Sequence, residues 1–138
     1  MGSKASRALR LLIVEDSGPF RRALAEAVRA RFPLVTIFEA EDLAQGRRMV
    51  SAAAPEVVFL DINLPDGNGL ELADVIRREL PKTAVAVCTS YDLPEYREGA
   101  FRHGATHFLC KGDLDWDEVG DIVEAEMGRD KGPRAGVA

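Results

Sequence analysis

Glu15 and Asp16, Asp61, Thr89 and Ser90, and Lys111 each stand directly after a short apolar run, and all carry groups suited to metal or phosphate chemistry. Asp61 is followed by Asn63, Pro65, Gly67 and Gly69. Taken singly, each has an ordinary reading. Acidic residues close many strands as solvated turn positions, and Asp, Asn and Gly are at home in turns. Thr89 can cap a helix, and Lys111 can be a surface lysine. Brought together, they amount to three carboxylates, a hydroxyl and an ammonium. Crowded carboxylates repel one another and raise each other's pKa. A hard divalent cation relieves that repulsion. Mg²⁺ prefers one or two carboxylates, a carbonyl, waters and phosphate oxygens.

The elements that must position these groups are legible as a rhythm. Apolar runs span Leu9 to Val14, Val35 to Glu39, Glu56 to Leu60, Ala84 to Cys88 and Ala105 to Cys110. Their continuous apolar character predicts strands covered on both faces. Helical patterns separate them. Phe20, Leu24, Val28 and Phe32 recur every fourth position across Gly18 to Phe32, with Ser17 as N-cap and Pro19 in the first turn. Asp42 to Ala53 is a second helix whose apolar face Gly46 blurs. Leu72, Ile76 and Leu80 mark a third, ended by Pro81. A fourth runs from Asp92 to His103, capped by Asp92, with Leu93, Tyr96, Ala100 and Phe101 inward. Trp116, Val119, Val123 and Met127 mark the fifth, which Gly128 stops.

Five β-α units predict an α/β fold with a parallel sheet and right-handed crossovers. The best fit is a doubly wound (βα)5, flavodoxin-like three-layer sandwich with a five-stranded parallel sheet of order 2-1-3-4-5. Ligands bind outside the carboxyl ends of the strands in such a sheet, which is where the residues above fall. One domain accounts for the 138 residues. It is expected to span 9–128, with an N-terminal extension at 1–8 and a flexible tail at 129–138.

Composition narrows the function. Hydrophobic residues make up 46% and charged residues 30%, a globular balance. The net charge of -5 offers no basic face for nucleic acid, so direct nucleic-acid binding by this domain is not expected. No apolar run approaches the roughly 20 residues of a membrane span, and Met1 to Arg10 lacks the apolar stretch of a signal peptide. A soluble, cytoplasmic protein without membrane association is expected. Cys88 and Cys110 read as reduced core cysteines, since neither has the spacing of a zinc site or redox pair.

The segments LLIVEDS, VVFLDINLPDGNGLEL, VAVCTSYD and THFLCKG resemble, in order and spacing, the four signature segments of two-component response-regulator receiver domains. The resemblance runs from about Leu9 to Met127. It implies that Asp61 is the phospho-acceptor and that Mg²⁺ (or Mn²⁺ in its place) is the cofactor. Asp16 and Asp61 would ligate the metal directly, Glu15 through water, and Asn63 through its backbone carbonyl. Lys111 would pair with a phosphoryl oxygen, Thr89 would hydrogen-bond the phosphoryl group, and Phe108 would be the switch aromatic. The implied donors are a sensor histidine kinase, a phosphotransfer protein or a small acyl phosphate. The implied readout is a changed surface of helix 4, strand 5 and helix 5 that binds a downstream protein. A phosphorylation-linked homodimer through that surface could use Arg97, Arg102 and Asp121. Such a domain is a switch rather than an enzyme on an outside substrate, although it takes part in its own phosphoryl transfer and dephosphorylation.

Three positions depart from the family pattern. Gly112 follows Lys111 where proline is usual, so a trans peptide is expected there. Phe108 replaces the more frequent tyrosine, and Glu15 replaces an aspartate. A phosphatase of the haloacid-dehalogenase type would need a second aspartate two positions after Asp61, and Asn63 cannot serve as its general acid. A flavodoxin-like nucleotide binder would need a phosphate cradle after the first strand, where Glu15 and Asp16 stand instead. The segment after Met127 is too short for a helix-turn-helix module. The chain is read as acting alone through protein contacts, with the receiver part of a longer regulator as the alternative.

Overall fold

The computed structural model describes residues 7–129. Along the chain come β1 (Arg10–Val14), α1 (Gly18–Arg31), β2 (Thr36–Ala40), α2 (Leu43–Ala53) and β3 (Val57–Leu60). Two short strands follow, β4 (Asn63–Leu64) and β5 (Gly67–Asn68), which pair as an antiparallel hairpin. Then come α3 (Leu70–Glu79), β6 (Ala84–Thr89), α4 (Pro94–Arg102), β7 (His107–Cys110) and α5 (Trp116–Met127). The main sheet is parallel with order β2-β1-β3-β6-β7. This is the expected 2-1-3-4-5 order once the hairpin is set aside.

Alternation along each strand builds the three layers. Leu11 and Ile13 of β1 face one way, with Phe59, Cys88 and Leu109, against Leu24 and Val28 of α1 and Val119 and Val123 of α5. Leu12 and Val14 face the other way, with Val58 and Leu60, against Val50 of α2 and Leu72 and Ile76 of α3. A smaller cluster under α4 holds Val87, Phe108, Ala100, Ala105, Ile62 and Leu70. Each fully buried aliphatic side chain contributes roughly 1.5–3 kcal/mol relative to exposure. Every strand between two others is therefore apolar on both faces. β2 is the exception to that expectation: as an edge strand it exposes Thr36 and Glu39 and only half buries Ile37 and Phe38.

The helix starts follow capping chemistry. The Ser17 hydroxyl accepts the Phe20 amide at 3.4 Å, and Pro19 lies in the first turn of α1. Phe32, expected as the last helical residue, is instead the C-cap, and it is fully buried. Asp42 accepts the Gln45 amide at 2.8 Å, and the free amides of Leu43 and Ala44 donate to Asp66 at 2.8 and 3.1 Å. Asp66 thus ties the hairpin to α2, and the Leu43 amide above all holds its carboxyl below the usual range. Two glycines allow close approach. A Cβ on Gly46 would press on Leu72 and Val14 where α2 meets α3 and the sheet. A Cβ on Gly69 would overlap the Asp61 carbonyl oxygen, while the Gly69 amide donates to Ile62 at 2.6 Å.

Four expectations about packing are corrected. Helix α4 starts at Pro94, not Asp92, and Leu93 is an N-cap without a side-chain hydrogen bond. Leu93 and Phe101 are 46% and 43% exposed, because the short α4 buries Ala100 and half of Tyr96 and turns the 93–97–101 stripe outward. Trp116 is also exposed, its ring beside that of Phe20 at the start of α5. Cys110 is only half buried at the end of an edge strand, whereas Cys88 is buried; both are free thiols.

Of the expected N-terminal extension, residues 1–6 lie outside the described residues, as do 130–138 of the expected tail. Arg7 is fastened to the domain, its guanidinium donating to the Met127 and Glu126 carbonyls at 3.2 and 3.3 Å and to Glu56 at 3.0 Å. Among the described residues no helix is long and apolar enough to cross a membrane.

Burial pushes the Cys88 thiol up to about 12, against the pull of Lys111. Because the thiolate is the nucleophile, Cys88 stays unreactive at pH 8. A maleimide is expected to label Cys110 in the native protein and Cys88 only after unfolding, as read by peptide mass; equal native labelling would contradict this burial. Gly69→Ala is expected to destabilise the fold by about 1–3 kcal/mol in urea unfolding, through the clash with Asp61. An unchanged midpoint would show that the loop relaxes freely.

Candidate functional site

The parallel register brings the chemistry to one edge. Val14 pairs with Leu60, so Glu15 and Asp61 leave neighbouring strands side by side. Thr89 pairs with Cys110, which places Lys111 next to the end of β6. Glu15 and Asp61 are buried, Thr89 is wholly buried, and Asp16 is exposed. Carboxylate oxygens of Glu15, Asp16 and Asp61 lie within 4.8 Å of one another.

The Lys111 ammonium bridges the two buried acids, 2.6 Å from Glu15 Oε1 and 3.1 Å from Asp61 Oδ2. The other oxygens are also engaged. Glu15 Oε2 accepts the Ser17 amide at 3.0 Å, and Asp61 Oδ1 accepts the Asn63 amide at 3.4 Å. Burial raises the Glu15 carboxyl above its ordinary value, and hydrogen bonds from Lys111 and Ser17 offset only part of this. For Lys111, burial works to lower the pKa. Its hydrogen bonds and attraction to Glu15 and Asp61 outweigh burial, so the ammonium is held above its ordinary value.

Three carboxylates against one ammonium leave the cluster negative when ionised. Hard oxygen donors, a negative balance and one exposed acid fit a hard divalent cation of the Mg²⁺ type better than a soft metal. The remaining expected residues border this cluster. Thr89 Oγ1 accepts the Tyr91 amide at 3.4 Å. Asn63 opens the hairpin directly after Asp61 and Ile62. Phe108 is buried under α4, with the Arg97 guanidinium 4.8 Å from its ring centroid. Ser90 is exposed beyond Thr89. No cis peptide occurs among the described residues, so the Lys111–Gly112 bond is trans as expected. Lys111 opens a short 3₁₀ turn, Lys111–Asp113.

Three contributors escaped the sequence reading. Arg21 donates to the Glu15 carbonyl at 2.7 Å and to Glu39 at 2.8 Å, stitching the site loop to α1 and β2. Asp66 anchors the hairpin as described above. Phe20, read only as a core residue, also presents its ring to the Lys111 ammonium at 4.6 Å. Nothing in the pattern of charges singles out Arg21 or Asp66 from other surface residues; Phe20 was visible, but only as part of an apolar stripe.

Comparisons with known proteins agree with this geometry. The family model of the response regulator receiver domain matches residues 11–120. The photosynthetic apparatus regulatory protein RegA of Cereibacter sphaeroides is 36% identical over 102 residues, covering 73% of this chain and 54% of that protein. The DNA-binding transcriptional activator DevR/DosR of Mycobacterium tuberculosis is 33% identical over 103 residues, covering 75% of this chain and 48% of that protein. The chain thus spans about half the length of these curated relatives. Among solved structures, the signal receiver domain of the putative response regulator NarL from Mycobacterium tuberculosis is similar at a TM-score of 0.78. It shares 26% identity, with 89% of this chain and 99% of that one covered. A CheY-like receiver domain from Methanospirillum hungatei has the same fold at a TM-score of 0.79 and 19% identity, with 88% of this chain and 94% of that one covered. With the sheet order, the acidic edge and a family match over most of its length in agreement, this chain belongs to the response regulator receiver domain family.

Proposed function

We propose that this receiver domain is a phosphorylation-dependent switch in which Asp61 accepts a phosphoryl group. The observation that carries this reading is the Lys111 ammonium set between Glu15 and Asp61, with Asp16 beside them and Thr89 at the next strand end. An Asp61 carboxylate oxygen attacks phosphorus in line. A new O–P bond forms as the donor's P–N bond (phosphohistidine) or P–O bond (acyl phosphate) breaks, and the donor leaves with the electron pair. Catalysis of this kind rests on positioning and charge neutralisation. Lys111 supplies a positive charge for a phosphoryl oxygen, and the Thr89 hydroxyl donates to another once it moves inward. Mg²⁺, or Mn²⁺ in its place, held by Asp16, Asp61, the Asn63 backbone carbonyl and through water by Glu15, would neutralise further charge on the phosphoryl oxygens.

The product carries roughly -2 charge and three strong acceptors. Movement of Thr89 toward them disturbs the loop that its Oγ1 now holds through Tyr91. Phe108, buried beneath Arg97, can answer by changing rotamer, and the α4–β7–α5 face changes with it. The donors that fit are a sensor histidine kinase, a phosphotransfer protein or a small acyl phosphate, in the cytoplasm. The output is binding of a downstream protein, with a homodimer through the same face as one form; there Arg97 lies over the Phe108 ring, Arg102 is exposed, and Asp121 is bonded to Arg31 at 3.4 Å. The output differs between a domain acting alone and one within a longer regulator, and the match covers only 54% and 48% of the RegA and DevR/DosR relatives. Hydrolysis of the aspartyl phosphate at the same site returns the switch to rest.

Incubation with acetyl phosphate and Mg²⁺ is expected to give one phosphoryl adduct by intact mass. The adduct should vanish in Asp61→Ala and on chelation with EDTA, and form at least about tenfold more slowly in Lys111→Ala, on the scale of losing one electrostatic stabiliser. An adduct that persists in folded Asp61→Ala would move the acceptor elsewhere. A folded wild type that takes no adduct from acetyl phosphate, and does not change its spectrum with beryllofluoride, would remove the switch reading.

A further inference from the structure

Lys111 reaches the site on a long, flexible side chain, and ordering such a chain costs rotamer entropy. The 3₁₀ turn Lys111–Asp113 orders the backbone there but packs no side chain against the Lys111 stem at the next position. Gly112 has no side chain and is exposed, and a Cβ placed there would touch only Cys110, at 3.9 Å. The ammonium is nevertheless held from three sides. Glu15 and Asp61 take two of them, and the ring of Phe20 takes the third, 4.6 Å from centroid to Nζ. Phe20 is itself well fixed. Its amide is bonded to Ser17, its ring is half buried against the α1–α5 core, and the Trp116 ring lies 6.3 Å away at 31°. A cation within about 6 Å of an aromatic face is attracted by the ring quadrupole, and more strongly when partly desolvated.

We propose that Phe20 is a positioning residue for phosphoryl transfer: its ring face steadies the Lys111 ammonium at the acidic cluster, a restraint that the Lys111–Gly112 backbone does not provide. This rests on the reading of Asp61 as acceptor. Carboxylate attraction alone draws the ammonium inward onto Glu15 and Asp61. The ring adds a lateral hold that survives when those carboxylates are engaged by other partners, so that Lys111 stays aimed at the incoming phosphoryl oxygens. Trp116 acts one contact further out, by limiting rotation of the Phe20 ring.

The test pairs a geometric readout with a kinetic one. In wild type, the Lys111 ε-methylene protons, assigned by their loss in Lys111→Arg, are expected to be shifted upfield by the ring current of Phe20. Phe20→Leu should abolish that shift and slow adduct formation from acetyl phosphate roughly three- to tenfold at saturating Mg²⁺, the scale of one partly desolvated cation–π contact. Phe20→Tyr, which keeps the ring face, should restore both to within about twofold. If Phe20→Leu fails to fold, Trp116→Leu at an exposed site should reduce both readouts part of the way. Unshifted Lys111 protons in wild type, or a folded Phe20→Leu with an unchanged rate, overturns the proposal. A wild type with shifted Lys111 protons and no adduct at all would instead overturn the acceptor reading and leave the contact standing.

Discussion

The Lys111 ammonium lies 2.6 Å from a Glu15 oxygen and 3.1 Å from an Asp61 oxygen, and the arrangement of the carboxyl edge turns on that contact. Burying one carboxylate without a counter-charge is costly, and burying two side by side adds their repulsion. The cation makes the pair tolerable without making it comfortable, as the raised Glu15 carboxyl shows. What results is a site that is held together yet still electron-rich, with Asp16 open to solvent beside it.

The rest of the fold keeps those few atoms in register. β1 and β3 are buried on both faces, so a one-residue slip would exchange the side chains interlocked with the two helix layers. Their ends therefore set the Glu15–Asp61 spacing rigidly. The loops are tied down separately: Gly69 closes against the Asp61 backbone, Asp66 pins the hairpin to α2, and Arg21 holds the Glu15 carbonyl. Against this stiff side, the α4 side is thinly packed. It buries few residues, exposes Tyr91, Leu93 and Phe101, and rests on the small cluster around Phe108. Stiffness on one flank and loose packing on the other give a local charge event a preferred direction in which to move the structure.

Much of this was legible from residues alone. The strand runs, the sheet order and the convergence of Glu15, Asp16, Asp61, Thr89 and Lys111 follow from apolar runs and strand-end positions, because burial on both faces leaves a strong signal. Ser17 announced its helix through capping chemistry. Helical spacing points Leu93 and Phe101 inward, but the short α4 over an edge strand has little core to offer them. Trp116 is exposed for another reason: it opens α5, before the turns that enter the core, with its ring beside Phe20. The side-chain links were harder to read. Arg21, Asp66 and Phe20 act on residues distant in sequence or across a loop, and no periodicity encodes which of many arginines or aspartates meets a given backbone amide. The hairpin after Asp61 looked like a turn because its strands are two residues each.

The lysine that balances the buried acids follows Asp61 by 50 residues and stands just after the edge strand β7. A growing chain presents its carboxylates first and their counter-ion 50 residues after Asp61. Any partly folded form that has assembled β1, β3 and β6 but not β7 faces two acids turned toward each other without relief, and it protonates them, takes up a cation or opens that end of the sheet. Docking of the last strand thus brings apolar closure and charge compensation in one step. Long-range pairing late in the chain, ordinarily a kinetic burden, is here reinforced by electrostatics, which makes the final strand a cooperative seal rather than an optional edge.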